Sequence, residues 1–536
     1  MQPRKRIGIF GWGVVAPKTP DIGAFERNLE SADSWLSPFD GFGPSNFLVG
    51  EPQFDFAQYR AWFDQRFPPA RYAQVNDKMG PMVKYAIGAF IQSLGQNPGL
   101  EAYLQSLGIG CHVYLGTGLG DITVTQTEAL RYERALRKWN EFWAAPGRCA
   151  ALREHAAGNP DPDTPDDPAE FAPGSEDWID AKHDWEQYWA ARSDGLHQYL
   201  KEAAAIQGEP VPPSSGSAKL SSIRQKLNKI RALNKHWACP DEPWAAVSPN
   251  LLWNIANIPA AQVSMIGKIH GPSLAPVAAC STFGVALKMG VDAIQRGEAS
   301  AVVVGATDPP PHPMILSAFY NANVLSADRE VSRPLTGLKG THIAGGACVW
   351  IIGDVEALMA KGFKPLGLEV VGVGTSSDAH HIITPSREGP QLAIKAALAD
   401  VPARDVRTWD MHATATPGDA TEIQHSLELL HPDVIFTARK GTFGHGMSVG
   451  GGWELTAQHL GVARGRLYPV TLTEGELHAD VQLHGARFVQ AAGCEVAVDT
   501  GYSGKLSMGV GGINACVISR AWDPEFLASH ARPPRA

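Results

Sequence analysis

One cysteine, two histidines and a lysine–glutamate set stand in local sequences that suit covalent chemistry. Cys280 closes the apolar part of "APVAACSTFG", after which the chain turns small and polar. The next stretch, "STFGVALKMGVDAIQRGEAS", has helical periodicity at Val285, Leu287, Met289, Val291 and Ile294, so Cys280 is expected at a helix N-terminus. The partial positive charge of that end favours thiolate over thiol, the form a nucleophile needs. "DMHATATPGDATE" places His412 after an apolar run, and "ARKGTFGHGMSVGGGWE" places His445 among glycines, between Lys440 and Glu454. Glycines admit a ligand close to the backbone, and a histidine there can reach a cavity. Taken one at a time, each histidine also fits a structural role, and the other six cysteines (Cys111, Cys149, Cys239, Cys348, Cys494 and Cys516) read as small buried residues.

These residues need a rigid frame. "RIGIFGWGVV", "CHVYLGTGLGD", "SAVVVGATD" and "ACVWIIGDVE" are near-continuous apolar runs, the signature of strands buried on both faces in a layered α/β protein. The Gly-rich turn after "CHVYL" lacks the spacing of either phosphate-binding loop, so nucleotide binding is not expected. Residues 130–245 break the pattern. They hold the Pro/Asp stretch "GNPDPDTPDDPAEFAPGSED", a surface loop, between Trp-rich helical segments, and carry seven of the 15 tryptophans. A folded, mainly helical insertion is expected there. At its end Leu220, Ile223, Leu227, Ile230 and Leu233 (or Asn234) form one apolar helix face, with Lys226, Lys229, Arg231 and Lys235 largely off it. That helix is either a solvated surface or a dock for an acidic partner.

The chain has 536 residues, a formal net charge of −9 and 44% hydrophobic residues. The acidic balance speaks against nucleic-acid binding, and no run approaches the roughly 18 apolar residues of a membrane span. "MQPRKRIGIFGWGVV" reads directly into a strand and has no secretory pattern, so a cytoplasmic protein is expected. No cysteine or histidine spacing suggests zinc.

Together the motifs resemble the β-ketoacyl synthases, decarboxylating condensing enzymes with a thiolase-type fold. "AACST" resembles the family's nucleophile motif. "HATAT" keeps Thr414 and Thr416 of its His-Gly-Thr-Gly-Thr motif, with Ala413 and Ala415 in place of the glycines. Gly418, Asp419 and Glu422 match the Gly-Asp-x-x-Glu that follows, and Lys440, Gly444, His445, Gly451 and Glu454 match its second histidine segment. "SMGVGGINA", "SRPL", "SSDAHH" and "GWGVVAP" are similar to further family segments. The resemblance implies two similar βα halves, residues 1–129 with 246–365 and residues 366–536, and a homodimer.

It also implies roles. Cys280 takes up an acyl group, with the backbone N–H groups of Cys280 and Val510 as oxyanion hole. His412 and His445 then activate a malonyl thioester, supported by Lys440 and Glu454, to give a 3-oxoacyl thioester in fatty acid or polyketide-type biosynthesis. Acyl carrier protein is the implied partner, and no metal or organic cofactor is implied. Met508 and Val510 replace the family's gating phenylalanines. Phe283 is bulky where small residues are usual and is expected to shorten the acyl pocket. Gly345 stands where many members have glutamate. His380 and His381 read as structural or pocket-lining. The alternatives are a thiolase-type acyltransferase, disfavoured by the missing Cys-x-Gly motif, and a non-catalytic chain-length-factor-like subunit, disfavoured by the presence of Cys280.

Overall fold

The protein is described by a computed structural model covering residues 4–43, 47–159, 161–210, 216–382, 385–473, 475–498 and 501–530, with no account of the side chains of 216–220 and 530. The chain divides into two compact units, Met1–Thr123 with Leu252–Ala536, and Val124–Leu251.

The first unit is built on one sheet of eleven strands. They are β1 (Ile7–Val15), β2 (Cys111–Gly116), β3 (Ser273–Leu274), β4 (Ala301–Asp308), β5 (Gly346–Asp354), β6 (Leu366–Ser377), β7 (Val406–Asp410), β8 (Ile435–Thr437), β9 (Arg487–Phe488), β10 (Tyr502–Gly509) and β11 (Ile513–Arg520). Their order is β9-β8-β7-β10-β11-β6-β1-β5-β4-β2-β3. The order shows the duplication. In the first half β1 pairs antiparallel with β5 and β5 with β4, while β4–β2 and β2–β3 are parallel. In the second half β6–β11 and β11–β10 are antiparallel, while β10–β7 and β7–β8 are parallel. The halves join through β1 and β6, where Ile7 faces Val370.

The apolar runs form strands because both faces are covered. Val303, Val349 and Ile351 enter a core against α1 (Pro81–Leu94), whereas Val302, Val304, Trp350 and Ile352 enter a second core on the opposite face. That second core contains α2 (Thr282–Gln295), which follows Cys280. In the second half α3 (Glu388–Leu398) covers β6 and β11 and enters a third core, and α4 (Gly418–Leu427) and the short α5 (Lys440–Phe443) follow. The helix α6 (Gly450–Val462) is buried along its whole length beside α2. Its glycines permit this: a Cβ on Gly452 would lie 2.6 Å from the Phe283 ring.

The second unit is mainly helical, with long helices at Ile122–Trp143, Glu176–Ala191, Asp194–Gln207 and Gly216–Trp237. Trp139, Trp143 and Tyr199 form its main core with Trp237 packed against them, and Trp189 anchors a smaller cluster with Cys149 and Leu152. Along the basic helix Ile230 is buried but Ile223 and Leu227 are exposed; the Leu220 side chain lies outside the described residues. Lys226 donates to the Gln207 carbonyl and Lys229 pairs with Glu209. Among the described residues, no helix is long and apolar enough to cross a membrane.

Candidate active site

A tight turn presents Cys280 to a cavity. The 3₁₀ turn Ala279–Ser281 leads into α2, and Ala279 adopts φ +47°, a conformation an alanine holds only at a cost of about 1–2 kcal/mol. The turn is held from both sides. The Ala278 N–H donates to Thr282 Oγ1 at 3.0 Å, and Ser281 Oγ lies 2.8 Å from the Ile513 carbonyl and 3.0 Å from that of Ser507. Gly509 lets the β10–β11 hairpin approach: a Cβ there would lie 2.8 Å from the Ala278 oxygen. As a result the backbone N–H groups of Cys280 and Val510 both reach the Cys280 sulfur. Two backbone donors directed at one thiol can hold the oxyanion of a carbonyl that the sulfur attacks.

The helix end does not produce a thiolate, which corrects the expectation from sequence. Burial pushes the Cys280 thiol up to about 11, and Lys440 with the two N–H groups only partly offsets this. Desolvation penalises the charged form more than one short approach to a helix end favours it.

His412 follows β7 in a loop folded around two carboxylates from α4. Glu422 accepts the N–H groups of His412 and Ala413 at 2.7 and 2.8 Å. Asp419 accepts those of Thr414, Ala415 and Leu335 at 2.9, 3.1 and 2.9 Å, tying "SRPL" to this loop. Ala415 holds φ +58°, so the second glycine replacement keeps a left-handed backbone. Thr414 and Thr416 share a hydrogen bond of 3.0 Å between their hydroxyls.

His445 follows α5 through Gly444, whose φ of +79° and ψ of −178° only glycine adopts readily. The His445 N–H donates to the His342 carbonyl at 2.6 Å, and its Nδ1 accepts the Met447 N–H at 3.0 Å. The ring proton therefore sits on Nε2, leaving a donor for a ligand. Burial and then Lys440 hold the His445 imidazole down to about 3, so it is neutral. Burial, Lys440 and His445 likewise hold His412 well below its ordinary value. The two rings lie 5.5 Å apart at 83°.

Behind them Lys440 pairs with Glu454 at 2.7 Å and donates to the His412 carbonyl. Three features were not singled out from sequence. Lys505, in β10, pairs with the other Glu454 oxygen at 2.7 Å. Arg439 pairs with buried Asp410 at 2.8 Å. Asp308, at the end of β4, accepts from Thr117 Oγ1, Gly118 N, Leu119 N and Ser448 N at 2.8–3.1 Å. The amides of the Gly-rich turn are thus spent on an internal carboxylate. Each of these is a charged residue inside an apolar or glycine-rich run, which was the available signal.

Cys280, His412, His445, Thr414, Thr416, Met508 and Val510 all line one cavity of about 260 Å³, with Phe319 and Val324 among its apolar walls. Val510 is 46% exposed at this rim. Phe283 does not line it, a second correction. The ring is fully buried, edge-on to Trp350 at 5.2 Å, because residue 283 faces the core of α2 rather than the cysteine. Gly345 is sterically required, since a Cβ would lie 2.0 Å from the Pro309 oxygen. His380 and His381 are exposed and outside the cavity lining.

The chain matches the profile of the β-ketoacyl synthase N-terminal domain over residues 223–356 and that of the C-terminal domain over 368–473. The 3-oxoacyl-[acyl-carrier-protein] synthase 2 of Staphylococcus aureus (strain COL) is 28% identical over 284 residues, covering 50% of this chain and 66% of that protein. Its namesake in Rhizobium meliloti (strain 1021) is 30% identical over 288 residues, covering 50% and 65%. The chain therefore spans just under two thirds of the length of these relatives. In structure it is similar to a β-ketoacyl synthase from Burkholderia phymatum STM815 (TM-score 0.65, 17% identity, 97% of this chain and 100% of that one) and to the ishigamide ketosynthase/chain length factor (TM-score 0.65, 18% identity, the same coverage). The fold is that of the ketosynthases, and residues 223–356 and 368–473 match the two domains of the β-ketoacyl synthase family.

Proposed function

We propose that the protein catalyses decarboxylative condensation of an acyl thioester with a malonyl thioester. The observation that carries this is the single cavity bringing together a cysteine with two converging N–H donors and a pair of neutral imidazoles. The Cys280 sulfur attacks the acyl carbonyl carbon. The oxyanion is held by the N–H groups of Cys280 and Val510. Its collapse breaks the carbon–sulfur bond to the carrier, whose thiolate takes up the proton that the cysteine lost. The malonyl thioester then places its carbonyl oxygen against His412 and His445. The bond to its carboxylate breaks, carbon dioxide leaves, and the electron pair becomes an enolate stabilised by the imidazole N–H groups. The enolate carbon attacks the acyl-cysteine, giving the 3-oxoacyl thioester and a cysteine thiolate that is protonated from solvent.

On this reading Lys440 and Glu454 support the histidine side of the site, and Met508 and Val510 gate its mouth. The acyl and malonyl groups are delivered by an acyl carrier protein, in fatty acid or polyketide-type synthesis, to a cytoplasmic homodimer. The names of the matched relatives support the carrier as donor. Intact-protein mass spectrometry after incubation with acyl-carrier and acyl-CoA thioesters tests the first step. One acyl group should add, on Cys280 and on none of the other six cysteines, and Cys280→Ser should remain unmodified. Equal acylation of Cys280→Ser would exclude the mechanism.

A further inference from the structure

Glu454 holds two ammonium groups where one would neutralise it. Lys440 Nζ lies 2.7 Å from Oε1 and Lys505 Nζ 2.7 Å from Oε2, with all three side chains buried. Each lysine has a second acceptor on the chain that carries His412. Lys440 donates to the His412 carbonyl, and Lys505 donates to the Met411 carbonyl at 3.1 Å. The clamp thus draws α5, α6 and β10 onto consecutive peptides at the end of β7. With the Arg439–Asp410 pair, three buried cations face two carboxylates, and the buried Glu422 and Asp419 carboxyls that hold the His412 loop lie in the same field. Burying a second lysine on a carboxylate that one lysine already neutralises is costly, so Lys505 needs a compensating use.

We propose that Lys505 is a positioning residue for the malonyl half-reaction: it fixes the Met411–His412 backbone and adds a positive charge to the field in which the enolate develops. The inference rests on the condensing-enzyme reading above. The field also bears on the histidines themselves. The charged and titratable groups around the two imidazoles are Cys280, Asp308, the Asp410–Arg439 pair, Asp419, Glu422, Lys440, Glu454 and Lys505. After burial and Lys440, Lys505 is a further cause holding both rings neutral. Removing its charge lets them take a proton at higher pH, which converts a hydrogen-bond donor pair into cations and disrupts the arrangement.

The test uses Lys505→Met, which keeps the apolar stem and leaves the Lys440–Glu454 pair intact. Three quantities are measured on the whole protein: acylation of Cys280, decarboxylation of a malonyl thioester, and the pH profile of the decarboxylation. Wild type must acylate and decarboxylate; if it does neither, the condensing-enzyme reading fails, and this inference with it. Given an active wild type, Lys505→Met should acylate within about twofold of wild type. Its decarboxylation should fall about tenfold to a hundredfold, the cost of a small displacement of a reacting group, with the acid limb moved to higher pH. Lys505→Gln retains a donor for the Met411 carbonyl without the charge. It should show the same shift of the acid limb with a smaller loss of rate, and it serves if the methionine variant does not fold. Wild-type rates and an unmoved pH profile in either folded variant overturn the proposal, as does an equal loss in both half-reactions.

Discussion

At the scale of single residues, Cys280 is set apart by its neighbours and not by its acidity. Burial raises Cys239 to about 11 and Cys111 and Cys348 to about 12, so Cys280 at about 11 has no acidic advantage over Cys239. What it alone combines is a cavity wall with two N–H donors at the sulfur. A pH dependence follows. Below a pKa of about 11 the thiolate fraction grows tenfold per pH unit, so alkylation of Cys280 should rise log-linearly from pH 6 to 9 without a plateau. Mass spectrometry of iodoacetamide-treated protein measures this, and a plateau near neutral pH would show a thiolate already formed. The histidines separate from the cysteine in the same terms. His412→Ala or His445→Ala should lower decarboxylation by about 10²–10³, the usual worth of an oxyanion donor, while Cys280 is still acylated. A twofold loss in decarboxylation would remove the histidines from the mechanism. Lys440→Ala should follow the histidine variants in the same assay.

At the scale of elements, the site hangs on short connections whose conformations are unusual. Gly444 turns the chain from the lysine of α5 to His445 in a region open only to glycine, and its Cβ position lies 3.0 Å from the His342 oxygen that receives the His445 N–H. Gly444→Ala should cost about 1–3 kcal/mol of stability, read from denaturant unfolding, and reduce decarboxylation more than acylation. Unchanged stability would mean that the loop relaxes elsewhere. These connections also mark what sequence could and could not show. The nucleophile turn, both histidines and the Lys440–Glu454 pair were legible because each lies in a contiguous motif. Lys505, Asp308 and the Asp410–Arg439 pair were not, because their partners are distant in the chain, and a charge inside an apolar run marks a buried ion without saying what it pairs with. Phe283 was misplaced because its distance from Cys280 along the chain does not say that α2 turns it into the core. The thiolate was misjudged because a helix end is visible in sequence and the depth of burial is not.

At the scale of the molecule, the repeated pairing pattern of the two halves explains why the apolar runs were easy to find. Duplicated sheets with helices on both faces need strands that are apolar throughout, and those runs stand out. The duplication itself was not visible in the residues of either half and rested on resemblance. The unit Val124–Leu251 has its own core, so it should have its own stability. Trp143→Ala removes its fully buried central ring and should destabilise that unit by about 3–5 kcal/mol, seen as an early transition in tryptophan fluorescence separate from the unfolding of the sheet. A single unshifted transition would show that this core is not an independent cooperative element.

The most direct measurement of the central claim is a single turnover. Protein acylated on Cys280 is separated from free thioester and mixed with a malonyl thioester labelled in its free carboxylate. The account predicts one labelled carbon dioxide and one 3-oxoacyl thioester per acylated Cys280, with the cysteine returned unmodified. Release of the acyl group without carbon dioxide, or a product that retains the labelled carboxylate, would contradict it.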